Sequence, residues 1–217
     1  MMSYLSVNTI AEWSCFLTGV FCLRNDESLA WKCFPAYLLV VCLTETLGIH
    51  IRVTNHVSNA FLYNYYLPIE CICISIFLFL LMKPFGIKRW LLLVWLGIFF
   101  TLYLIESFYN HFSKYSSQVV VLMAVVFVCT SLYYHYQVLE SDAYIRLGNY
   151  APFWWVNGVL IFYFGGIVTN IFFKYLLHTP AVNSVHYSLR YIIFSILNIV
   201  LYGSWIYAFI CRYRQQK

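Results

Sequence analysis

The chain has 217 residues, of which 63% are hydrophobic and only 10% charged, with a formal net charge of +5. Soluble domains average about half apolar and about a quarter charged residues, so this composition excludes a soluble globular domain and points to an integral membrane protein. The basic residues are spread over the loops with no basic stripe, which speaks against nucleic-acid binding.

A membrane-spanning helix takes about 20 mainly apolar residues. Seven segments qualify: 4–23, 33–52, 61–82, 90–109, 117–138, 152–175 and 187–211. The predicted fold class is therefore all-α, a polytopic seven-transmembrane-helix bundle, with residues 1–217 as one domain. The first segment opens MMSYLSVNTI, with no Lys or Arg and no small-residue cleavage site, and reads as a span rather than a signal peptide. Asn8, Glu12, Cys15, Gly19 and Cys22 fall on one face of it at helical spacing.

The second segment carries Glu45, and the third opens with YNYYLPIECICI. In the third, Tyr63, Tyr66, Glu70 and Cys73 recur at i, i+3, i+7 and i+10, which is one stripe. Pro68 interrupts that stripe. It has no N–H for the carbonyl of Asn64, so a kinked outer turn with a free acceptor is expected there. Tyr66 stands one turn above Glu70 and is the expected hydrogen-bond partner of the carboxylate. The fourth segment carries Glu106. The sixth presents Gly158, Gly165 and Gly166, which permit close backbone approach. The seventh aligns Tyr191, Ser195, Asn198, Tyr202 and Trp205.

Orientation follows from the basic residues. Arg24, Lys32, Lys83, Lys88, Arg89, Arg146, Arg212, Arg214 and Lys217 lie on one side, against Arg52, Lys114, Lys174 and Arg190 on the other. The bias puts the C-terminus in the cytoplasm and the N-terminus outside. Asp26, Glu27, Glu140 and Asp142 then fall in cytoplasmic loops as ordinary solvated charges. Glu12, Glu45, Glu70 and Glu106 lie inside the first four spans, all in the outer half of the bundle.

An ionised carboxylate facing lipid costs about 2.5–3.5 kcal/mol. Four in one half of a small bundle point to partners or to a cavity. The aromatic and polar residues on the same faces suit a pocket for a cationic or amphipathic ligand, through charge pairing and cation–π contact. The candidate ligand-binding residues are Glu70 first, then Tyr66, Glu12, Glu45, Glu106, Tyr63, Asn198 and Tyr202. Purely structural, tyrosine-bonded glutamates are the competing reading.

No metal site is expected. His50, His56, His111, His178 and His186 sit at the outer ends, with only His135 near the cytoplasmic end. The pairs Glu45/His50 and Glu106/His111 are spaced i+5, about 140° apart around a helix. The eight cysteines read as small packing residues, and no cofactor is assigned.

Familiar seven-helix activities are excluded in turn. A retinal protein needs a lysine in the last span, and 187–211 holds none. The alkaline ceramidase relatives need a histidine triad with Asp and Ser within the membrane, and the histidines are elsewhere. No motif of the lysoplasmalogenase family is present, nor a G-x-S-x-G or a glycine-rich phosphate loop.

YNYYLPIECICISIFLFLLMK, with Tyr66 and Glu70, resembles the third helix of a family of small, uncharacterised seven-helix inner-membrane proteins of Bacteroidetes. PFWWVNGVLIFYFGGIVTNIFF resembles the sixth helix of that family and adds Asn157 to the candidate ligand-binding residues. LRYIIFSILNIVLYGSWIYAFI, with Leu197 and Asn198, resembles its last. The resemblance implies seven helices in the inner membrane as a multi-pass protein, and no activity.

The functional expectation is a ligand-binding or sensory subunit with an outward-facing polar-aromatic pocket. With the lipid bilayer around it and no output domain of its own, it would act through a membrane sensor kinase or another cytoplasmic output protein. A carboxylate-based proton-coupled transporter and an intramembrane lipid-modifying enzyme are the alternatives. An enzyme of that kind needs two carboxylates within reach of one bond.

Overall fold

The computed structural model describes residues 6–55, 59–109, 116–141, 146–172 and 189–216. They form seven helices: α1 (Val7–Leu23), α2 (Leu29–Asn55), α3 (Ala60–Met82), α4 (Arg89–Tyr109), α5 (Ser117–Glu140), α6 (Ala151–Ile171) and α7 (Leu189–Gln215). Short 3-10 turns lie at Lys83–Phe85 and Leu147–Asn149, and there is no strand among the described residues. Helices α2 to α7 each contain a stretch long and apolar enough to cross a membrane, while α1 is apolar but shorter. The protein is a multi-pass helical membrane bundle.

Local chemistry sets the helix ends. Ser6 accepts a hydrogen bond from the Thr9 N–H and caps α1. Pro152 sits in the first turn of α6, where the missing N–H is not needed. Gly86, at φ 80°, closes the turn after α3 by donating its N–H to the Lys83 carbonyl, a left-handed conformation that favours glycine.

Two helices run past their expected ends. α2 begins at Leu29 rather than 33, and α7 reaches Gln215 rather than 211. One ion pair holds both extensions. Arg212 Nε lies 2.8 Å from Asp26 Oδ2, and Nη2 donates to Oδ1 at 3.1 Å. The Ser28 N–H donates to Oδ1 at 2.7 Å, and Gln216 Nε2 donates to Oδ2. The Arg212 guanidinium also lies 5.7 Å from the Trp31 ring centre. Asp26 is thus buried and fully partnered, not the solvated loop charge its position suggested. Burial pushes its carboxyl upward, but the Arg212 and Ser28 bonds and the Arg212 charge outweigh this and hold it below the ordinary value. Asp142 lies outside the described residues.

The pair also fixes direction. Asp26 follows the end of α1 and Arg212 is near the end of α7, so these neighbouring helices run parallel. α6 crosses α7 in the opposite sense and very closely. A Cβ on Gly158 would lie 3.0 Å from Ser204 Cβ and 3.2 Å from the Leu201 carbonyl oxygen. A Cβ on Gly165 would lie 2.5 Å from Leu197 Cδ2. The expected role of these two glycines is met, since close approach needs the missing side chain. α4 is peripheral and buries just Phe99, Tyr103 and Ser107.

Within the core an aromatic layer crosses the bundle near the starts of α2 and α6 and the end of α3. Phe34 packs on Phe77, Trp205 and Trp155, with ring centres 4.8, 5.1 and 5.6 Å away. Trp155 and Trp205 stack at 5.5 Å with their planes 3° apart. Each such pair contributes about 0.5–1.5 kcal/mol beyond its burial. This layer closes the bundle beneath the site described next.

Candidate ligand chamber

α3 passes through Pro68 as one continuous helix. The Asn64 carbonyl, which cannot bond residue 68, accepts instead from the Tyr103 hydroxyl of α4 at 3.0 Å. The Asn64 side-chain oxygen accepts from the Ser116 N–H at 3.1 Å. The acceptor expected to be free is therefore taken. Proline here exchanges a bond within α3 for a bond between helices, and Asn64, with 0% exposure, ties α3 to α4 and to the start of α5.

A cavity of about 520 Å³ lies between α1, α2, α3, α5, α6 and α7. Seven of the nine sequence-predicted residues line it: Glu12, Glu45, Tyr63, Tyr66, Glu70, Asn198 and Tyr202. Its volume is within the range of about 300–1,000 Å³ usual for small-molecule sites. Among the described residues no Lys, Arg or His lines it. Arg52 stands two turns along α2 from Glu45 and is exposed.

The three glutamates differ in their partners. Glu45 Oε2 accepts from the Tyr63 hydroxyl at 3.0 Å. Glu70 Oε1 accepts from the Tyr163 hydroxyl at 2.6 Å. Glu12 is only 3% exposed, and its Oε2 has no hydrogen-bond partner among the described residues. Buried polar atoms are nearly always partnered, so this oxygen is the unsatisfied feature of the wall.

Tyr66 does not bond Glu70. Its hydroxyl is 3.0 Å from that of Tyr37 on α2. The Tyr66 hydroxyl is taken up across the α2–α3 contact by Tyr37 rather than by the carboxylate on its own helix. Phe34 packs against Tyr37 at 5.4 Å, which connects the chamber to the aromatic layer below.

Two predicted residues stand elsewhere. Glu106 caps α5 from outside: Oε1 accepts from the Gln118 N–H at 3.2 Å and Oε2 from the Val119 N–H at 2.9 Å. The first amides of a helix lack internal acceptors and carry partial positive charge, so this carboxylate is occupied by α5. Asn157 is half-buried on α6 and is not in the chamber wall. It lies six residues from Tyr163, roughly 9 Å along the helix axis toward the aromatic layer.

The sequence reading missed Tyr163 and Asn170 and took Gly166 for a close-packing glycine; all three line the chamber from α6. Their spacing, i, i+3 and i+7, is the same stripe pattern that marked α3. The adjacent Gly158 and Gly165 drew attention to packing instead.

Among the described residues no group of three His, Cys, Asp or Glu side chains is placed to hold a metal ion. His56, His111, His178 and His186 lie outside them. No family model, curated protein or solved structure matches this chain.

Proposed function

We propose that the protein is a receptor-like subunit of the inner membrane, with all seven helices spanning it and the chamber facing outward, that binds a small cationic or amphipathic ligand. Its output passes through a partner at the cytoplasmic side, a membrane sensor kinase or a protein of similar role. The observation that carries this reading is the Glu12 oxygen, buried without a partner among the described residues in a wall where they supply two more carboxylates and no cation. An ammonium group would supply the missing donor, and the rings of Tyr63, Tyr66 and Tyr202 offer faces for cation–π contact.

The aromatic layer of Phe34, Phe77, Trp155 and Trp205 under the chamber weighs against a proton-coupled through-path. The grouping of Glu12, Glu45 and Glu70 around one chamber supports, as a second reading, acid–base chemistry on a lipid substrate.

The test is a thermal-shift screen of purified protein in detergent against primary amines, quaternary amines and polyamines. A binder should raise the melting temperature of the wild type and not of Glu12→Gln. If every amine that stabilises the wild type stabilises Glu12→Gln equally, the reading is wrong. If no amine stabilises the wild type, it is wrong as well. Turnover of an added phospholipid that Glu70→Gln abolishes would favour the second reading.

A further inference from the structure

A second cavity, of about 660 Å³, lies toward the other ends of α3, α4 and α5. Its walls are apolar, with Leu78, Phe79, Leu91 and Phe127 prominent. The polar atoms Ser75 Oγ and Trp95 Nε1 satisfy one another at 2.9 Å. The groove opens on the outer surface of the bundle, because Leu91, Cys129 and Tyr133 on its rim are all exposed. In a membrane protein that surface meets lipid.

Its mouth is basic. Lys88 lines it, and Lys83 and Arg89 flank it, all three exposed. Among the described residues no carboxylate lines the groove, and neither Lys88 nor Arg89 has an ion-pair partner. Both cations stand at the start of α4, whose first turn holds no acidic residue. Lys and Arg are unfavourable at that positive end of a helix dipole, so an anion seated there would relieve a local repulsion. Trp90 beside them has the amphipathic ring that settles at the headgroup level.

We propose that this groove holds one acyl chain of an anionic glycerophospholipid, with the lipid phosphate at Lys88 and Arg89. Basic clefts between membrane helices recognise anionic headgroups by this same chemistry. The apolar walls contribute affinity for the chain, and the two cations supply selection for the charge.

Native mass spectrometry of the full chain in mild detergent tests this, with phosphatidylglycerol and phosphatidylcholine of identical acyl chains offered in equal amounts. One phosphatidylglycerol should be retained in preference to phosphatidylcholine. Each basic residue near the surface changes such affinity about five-fold, so Lys88→Gln with Arg89→Gln should cut the preference by about 25-fold. Thr130→Phe, which fills the groove from α5, should remove the bound lipid while helical content is unchanged. Equal retention of the two lipids by the wild type overturns the proposal. So does an undiminished preference in the double variant, or full retention by folded Thr130→Phe. Both charged positions are exposed, so the double variant decides the matter even where Thr130→Phe does not fold.

Discussion

Tyr163 of α6 donates a 2.6 Å hydrogen bond to Glu70 of α3, across the chamber that separates much of the two helices. A bond to a neutral acceptor contributes about 0.5–1.5 kcal/mol to stability, and one to a charged acceptor about 1.5–3. A double-mutant cycle of Tyr163→Phe and Glu70→Leu, which removes the acceptor, read by unfolding in detergent, should return a coupling energy in one of those ranges. Which range it falls in reports the charge on Glu70. Additive effects of the two changes would mean that the bond holds nothing together.

The Tyr103–Asn64 contact makes a sharper prediction because Pro68 created the vacancy it fills. Tyr103→Phe leaves a buried carbonyl unsatisfied and should cost about 1–3 kcal/mol. Pro68→Ala restores an N–H four residues along from Asn64. In the Pro68→Ala background, Tyr103→Phe should therefore cost clearly less. An equal cost in both backgrounds would show that the proline and the tyrosine are not coupled.

The two α6 glycines that face different surroundings should respond oppositely to enlargement. Gly158 has the Leu201 backbone oxygen 3.2 Å from where a Cβ would go, and backbone cannot turn aside. Gly158→Val should cost about 1–3 kcal/mol or more as overpacking. Gly166 is buried in the chamber wall, with nothing among the described residues within 4 Å of its Cβ position. Gly166→Phe should leave the melting temperature nearly unchanged and abolish any stabilisation by an amine. Loss of folding in Gly166→Phe but not Gly158→Val would reverse this account of the packing.

The bundle was legible in the sequence because hydrocarbon demands long apolar runs, and little else fits α2 to α7. The chamber was partly legible for a related reason. A carboxylate such as Glu12 or Glu70 is costly on a lipid-facing side, so its helical stripe marks the interior. Partner choice was not legible. The pairing of Tyr66 with Tyr37 depends on the distance to α2 and on the register between α2 and α3, and periodicity carries neither. Glu106 shows the limit from the other side: it shares the residue type and approximate depth of the chamber glutamates, yet the start of α5 lies within its reach. Tyr163 was obscured because a tyrosine in an aromatic-rich helix carries no signal until Gly166 and Asn170 are seen on the same face.

Asp26 and Arg212 make a separable contribution to the pH dependence. The Asp26 carboxyl is held below its ordinary value, chiefly because the Arg212 and Ser28 hydrogen bonds and the Arg212 charge overcome the upward push of burial. Such a group adds stability that is fully present above the unfolded-state value, about 3.9 for Asp. That contribution is lost as pH falls through the lower folded-state value. Near neutral pH, Asp26→Asn should cost roughly 1.5–3 kcal/mol, the scale of hydrogen bonds to a charged group. The difference in stability between wild type and Asp26→Asn should stay constant from pH 7 to about 5, then shrink below about 4. Taking that difference cancels the titration of the other carboxylates. A gap that stays the same down to pH 2.5 would show that the charge of Asp26 does not hold the ends of α1 and α7 together.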